Sequence, residues 1–186
     1  MFSGRIGRSR GVFGVWLAAS VMFAGVVEAN PEVRGGGGLV VERHGSGRPL
    51  LLIPGLACGG EVWDGTVAAL ESQYEVFVVT LPGFAGNPSA GDEPFLSTAR
   101  DLLLDYIRTH ELQRPVVVGH SLGAHLAYAM AIAEPDLVGA VVAVDGVPFL
   151  PALQNPSATV EQVAGFAAHI RAADEAMSEE QFAQQN

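Results

Sequence analysis

Short apolar runs rich in β-branched residues recur along the chain, separated by stretches in which apolar residues return every three or four positions. Leu39–Arg43, Leu50–Ile53, Tyr74–Thr80, Val116–Val118 and Leu137–Val144 are of the first kind and read as strands, the unbroken ones buried on both faces. Trp63, Val67 and Leu70 mark one face of a helix over Glu61 to Leu70, and Trp63 reads as core. Ala99, Leu102, Leu103, Tyr106 and Ile107 fall at i, i+3, i+4, i+7 and i+8, with Ser97 as the expected N-cap. Leu126 to Ala133 continues a third helix, which Glu134-Pro135-Asp136 ends. Strands alternating with helices predict an α/β fold: a mostly parallel sheet flanked by helices.

The two ends depart from this pattern. Arg5, Arg8 and Arg10 precede an uncharged apolar segment, Gly11 to Val27, and Val27-Glu28-Ala29 offers small residues for cleavage. Residues 1–29 therefore read as a secretory signal peptide cut after Ala29, which places the mature chain in the periplasm or outside the cell. The alternative, an uncleaved membrane anchor, wants roughly 20 apolar residues, more than this segment holds. Pro31 to Gly38 is a polar, glycine-rich lead-in, expected to be mobile. Beyond Gly146, Thr159-Val160-Glu161-Gln162 is a capping box followed by an apolar stripe of Val163, Phe166, Ala167 and Ile170. A second box, Ser178-Glu179-Glu180-Gln181, precedes Phe182.

Composition narrows the function classes. The chain has 186 residues, 49% of them hydrophobic, enough for one domain with its own core. Acidic residues number 20 against 10 arginines and no lysine, a net charge of −10. Nucleic acid or an anionic membrane, which need a basic face, are thereby disfavoured as partners. The single cysteine, Cys58, excludes an intrachain disulfide and a multi-cysteine metal site. With no base near it in sequence, Cys58 reads as a small buried filler.

The chemistry concentrates at Val116-Val117-Val118-Gly119-His120-Ser121-Leu122-Gly123-Ala124. An apolar strand stops at Gly-x-Ser-x-Gly and a helix follows at once. Such a turn strains the serine backbone and leaves no space for Cβ atoms at Gly119 and Gly123. It presents the Ser121 hydroxyl beyond the sheet edge at the positive end of a helix, where the Leu122 N–H points at an oxyanion formed on attack. If Leu50–Ile53 and Val116–Gly119 are neighbouring parallel strands, the loops that follow them meet at one sheet edge.

On these residues the chain resembles the α/β-hydrolase family, from about Leu39 to Gly146. The resemblance implies a second oxyanion N–H from the loop Pro54-Gly55-Leu56, at Leu56. Many relatives carry His-Gly there, but a backbone donor survives the change to Pro-Gly. The loop Leu81–Pro88 is also similar, with Phe84 either walling the pocket or packing within the loop. The family's order is serine, acid, histidine, so the base must follow Ser121. His120 precedes it; His44 and His110 read as a turn residue and a helix-end residue. His125 reads as a helix-packing residue and His169 as solvated. Asp145 stands where a minority of the family carries the acid; the alternative is a turn-forming aspartate before Gly146.

The family inserts a helical cap after this strand, and residues 147–186 resemble its start. The implied organisation is a signal peptide over 1–29, the N-terminal part of a hydrolase core over 30–146, and the beginning of a cap over 147–186. A chain cut short before the usual acid and histidine is the expectation, with Leu137–Val144 as an exposed edge prone to oligomerisation or aggregation. The implied activity is hydrolysis of an ester-like bond in a small-molecule acyl substrate through a Ser121 acyl-enzyme, without metal or organic cofactor. Peptidase, lactonase and lipase chemistry share these parts. A catalytically inactive truncated chain, or a binding module on the same fold, is the alternative.

Overall fold

The computed structural model describes residues 30–34, 38–91 and 94–175. The expected signal segment and the Ser178 capping box lie outside these residues. The strands are β1 (Asn30–Arg34), β2 (Val40–Gly45), β3 (Arg48–Ile53), β4 (Tyr74–Thr80), β5 (Val116–His120) and β6 (Ala140–Val144). The helices are α1 (Asp64–Leu70), α2 (Phe95–Thr109), α3 (Leu122–Ala133) and α4 (Val160–Glu175), with single 3-10 turns at Gly60–Trp63 and Leu150–Leu153.

The strands form one sheet in the order β1-β2-β4-β3-β5-β6. β3, β4, β5 and β6 run parallel, while β1 and β2 pair antiparallel at one side. The predicted mostly parallel sheet with flanking helices is therefore the observed fold. Alternation along the strands divides the core in two. Leu51, Ile53, Phe77, Val79 and Val117 pack under α2 and α3 together with Leu103, Ile107, Leu126 and Met130. Leu50, Leu52, Val76 and Val78 face the other way, onto Trp63 and Val67. Trp63 is thus core, as its spacing predicts.

Local differences from the sequence reading have physical causes. The first part of the lead-in, up to Arg34, pairs with β2 as a strand instead of hanging free, because β2 offers an unpaired ladder there; the register slips between Asn30 and Val33, around the proline that has no N–H to give. Helix α2 starts at Phe95, ahead of Ser97, and the Ser97 and Thr98 hydroxyls donate to the Pro94 carbonyl instead of capping. β6 begins only at Ala140, since Leu137 and Val138 donate to the Glu134 carbonyl in the turn that closes α3. The Thr159 box forms as expected: Thr159 N–H donates to Gln162 Oε1 at 2.9 Å and Gln162 N–H to Thr159 Oγ1 at 3.4 Å. Of its apolar stripe, Val163 is half-buried, Ala167 is exposed and Phe166 is 68% exposed.

Candidate active site

The site is set by strand order. The chain passes from β3 to β4 on one side, then crosses to β5 on the other side of β3. The loops after β3 and β5 therefore leave in opposite directions, opening a crevice at their carboxyl ends. Ile53 lies opposite Gly119 in the parallel register, which brings Pro54-Gly55-Leu56 beside His120-Ser121-Leu122.

Ser121 occupies the junction itself. Its backbone sits at φ 51°, ψ −110°, a region non-glycine residues rarely adopt, and it immediately precedes α3. The strain is held from several sides. A Cβ on Gly119 would strike the Gly123 carbonyl, and one on Gly123 would strike the Ile53 carbonyl. The Ser121 N–H donates to the Val144 carbonyl of β6 at 3.0 Å. A Cβ on Gly146 would collide with Ala124, so the chain leaving β6 passes directly over the start of α3. The serine side chain is exposed.

The loop after β3 approaches the same point. A Cβ built on Gly55 would lie 2.9 Å from His120 Nδ1 and 3.6 Å from Ser121 Cβ. The Cys58 N–H donates to the Gly55 carbonyl at 3.3 Å, closing a turn with Ala57 at φ 58°. That bond leaves the Leu56 N–H outside the turn's own pairing. The Leu122 N–H, in the first turn of α3, is likewise free of an intrahelical partner. The Leu56 and Leu122 amides thus belong to the two segments that meet at Ser121.

A cavity of about 450 Å³ opens at this point. Its walls include Leu56, Leu96, Leu122, Phe149 and Leu150, with Ser121, His125 and Asp145 as the groups able to do chemistry. Asp145 follows β6 at φ 47°, and the preceding Val144 is the strand's link to Ser121. His125 departs from the sequence reading: it is an exposed wall residue of this cavity, not a packed helix residue. Four positions after Ser121 on the same helix, its side chain leans back toward the N-terminus. Among the described residues, no side chain hydrogen-bonds the Ser121 hydroxyl.

The remaining candidates fall elsewhere. His120 packs over Gly55, and His169 is an exposed residue of α4. His110 stacks on Tyr106 with ring centroids 3.9 Å apart and its Nδ1 lies 3.0 Å from the Tyr106 carbonyl. His44 is half-buried, 3.8 Å from Glu42. Phe84 packs on Phe95 of α2, ring centroids 5.2 Å apart, against the edge of the core, and neither walls this cavity nor packs only within its loop. Cys58 is half-buried. A cavity of about 410 Å³ at the opposite ends of the strands is lined by Arg43, Glu75, Tyr106 and His110 but by no serine or cysteine. Among the described residues no cluster of histidine, cysteine and carboxylate side chains could hold a metal ion.

Comparison with known proteins agrees with this geometry. The chain is 32% identical over 127 residues to a pimeloyl-[acyl-carrier protein] methyl ester esterase of Aeromonas hydrophila, covering 68% of this chain and 49% of that one. It thus spans about half the length of the curated relatives it matches. Among solved structures, an E-2-(acetamidomethylene)succinate hydrolase superposes with a TM-score of 0.57 at 26% identity, over 75% of this chain and 57% of the other. The epoxide hydrolase CorEH shares the fold with a TM-score of 0.57 at 23% identity, over 64% of this chain and 43% of its own. Residues 50–185 match the sequence profile of the alpha/beta hydrolase family. Strand order, the strained serine junction and this match converge: the chain belongs to the α/β-hydrolase family.

Proposed function

We propose that Ser121 is the nucleophile of a serine hydrolase that cleaves an ester-like bond. The observation that carries this reading is the exposed serine held at φ 51° where β5 turns into α3. In the scheme, Oγ attacks the substrate carbonyl and gives its proton to a base. The Leu56 and Leu122 N–H groups receive the oxyanion. The alcohol leaves with a proton, and water hydrolyses the resulting acyl-serine. Asp145 is the candidate for the orienting carboxylate, and His125 is the imidazole on the cavity wall among the described residues.

The nucleophile's identity separates the chemistries named among the relatives. Serine attack on an epoxide carbon would leave an ether, which water does not cleave under these conditions. Attack on an ester carbonyl leaves an acyl-serine, which water does cleave. Ester hydrolysis is therefore the first assignment. Secretion is part of the proposal and rests on the Arg5, Arg8, Arg10 start and the Ala29 cut; a mature chain beginning at Asn30 supports it, and an intact Met1 refutes it.

The second reading is a catalytically inactive chain or a binding module, and the unengaged Ser121 hydroxyl favours it. A fluorophosphonate probe separates the two. Labelling that disappears in Ser121→Ala supports the nucleophile; absence of labelling supports the inactive reading. His125→Gln then tests the wall imidazole, since a base should take most of the labelling rate with it.

A further inference from the structure

We propose that the Ser121 cavity selects uncharged apolar acyl groups and rejects acyl chains bearing a second carboxylate. This rests on the reading of that cavity as the acyl site. Its walls are mainly hydrocarbon: Leu56, Leu96, Leu122, Phe149 and Leu150. Among the described residues Asp145 is the one carboxylate on these walls, and no arginine lines them. The chain has no lysine to supply the missing cation. Four of the described arginines are engaged elsewhere: Arg43 pairs with Glu75, Arg100 with Asp101, Arg108 with Asp105 and Glu134, and Arg114 donates to the Asp136 carbonyl.

A carboxylate on an acyl chain lying along these walls would lose part of its hydration, meet no cationic partner among the described residues and come near the like charge of Asp145. The net charge of −10 opposes its approach as well. A neutral chain meets none of these costs and gains from apolar contact. The solved relative named for a succinate is therefore a guide to the fold of this chain and not to its substrate.

The test uses a matched pair: methyl hexanoate and monomethyl adipate share an ester and a six-carbon chain and differ by the terminal carboxylate. Binding to the full-length Ser121→Ala chain is titrated by saturation-transfer NMR, which needs no turnover. The neutral ester should bind at least about tenfold more tightly. Asp145→Asn should narrow the gap, and Leu150→Arg, which places a cation on the wall, should close or invert it. Equal or tighter binding of the adipate monoester, no response to Leu150→Arg, or binding of neither ester would overturn the proposal. The outcome is separable from the nucleophile reading. A charge preference without fluorophosphonate labelling of the unsubstituted chain keeps this inference and removes the nucleophile. Labelling without a preference does the reverse.

Discussion

β3 and β6 are both apolar strands of one parallel sheet, yet they live in different surroundings. Leu51, Leu52 and Ile53 of β3 are inaccessible to solvent, whereas Val142 and Val144 of β6 are 46% and 41% exposed. The two borders of the sheet differ as well. β1 carries Pro31, Glu32 and Arg34, residues that discourage further strand pairing; β6 reads Ala-Val-Val-Ala-Val, with no charge and no proline. Hydrophobicity thus reports what a strand is suited to bury, and neighbours decide whether it does so. Ser121 stands at the boundary between these regimes, anchored to the covered side through Gly119 and Gly123 and to the open side through Val144.

Substitutions across this boundary should grade accordingly. Gly119→Ala drives a methyl into backbone at the most constrained point, and we expect loss of ~3 kcal/mol or more, read as a collapsed thermal transition. Leu51→Ala in the covered region should cost about 3 kcal/mol in a denaturant titration, against roughly 0.5 kcal/mol for Val142→Ala. Similar costs for the two would erase the contrast and mean that β6 is covered in solution. Ser121→Gly should raise stability by about 1 kcal/mol while abolishing labelling, because glycine tolerates the strained φ; a destabilised variant would contradict stored strain. Val142→Lys should change stability by less than ~0.5 kcal/mol yet suppress self-association in sedimentation experiments. An unsubstituted chain that stays monomeric at high concentration would remove the proposal that this border pairs between copies.

The parts of the fold legible in the sequence are those specified locally. Short apolar runs located β3, β4 and β5, and helical spacing from Ala99 to Ile107 located α2 and its buried face. β1 was illegible because Asn-Pro-Glu-Val-Arg has no strand pattern; its state comes from a partner distant in sequence. Ser97 gave a misleading start for α2, since its hydroxyl had a closer use on the Pro94 carbonyl. In the site, Gly-x-Ser-x-Gly foretold both the positive φ of Ser121 and the closeness of Gly119 to Gly123. His125 was misread because packing was assumed for a helical position whose face the crevice leaves open. Its four-residue offset from Ser121 was the available signal.

The Ser121 N–H bond to Val144 has one more consequence. A border strand is where a sheet frays first, and here the fraying strand holds an amide of the reactive junction. Deuterium uptake at the Ser121 amide should keep pace with that of β6 and run well ahead of β3. Whatever docks along that border would then quieten the serine's backbone without touching its hydroxyl.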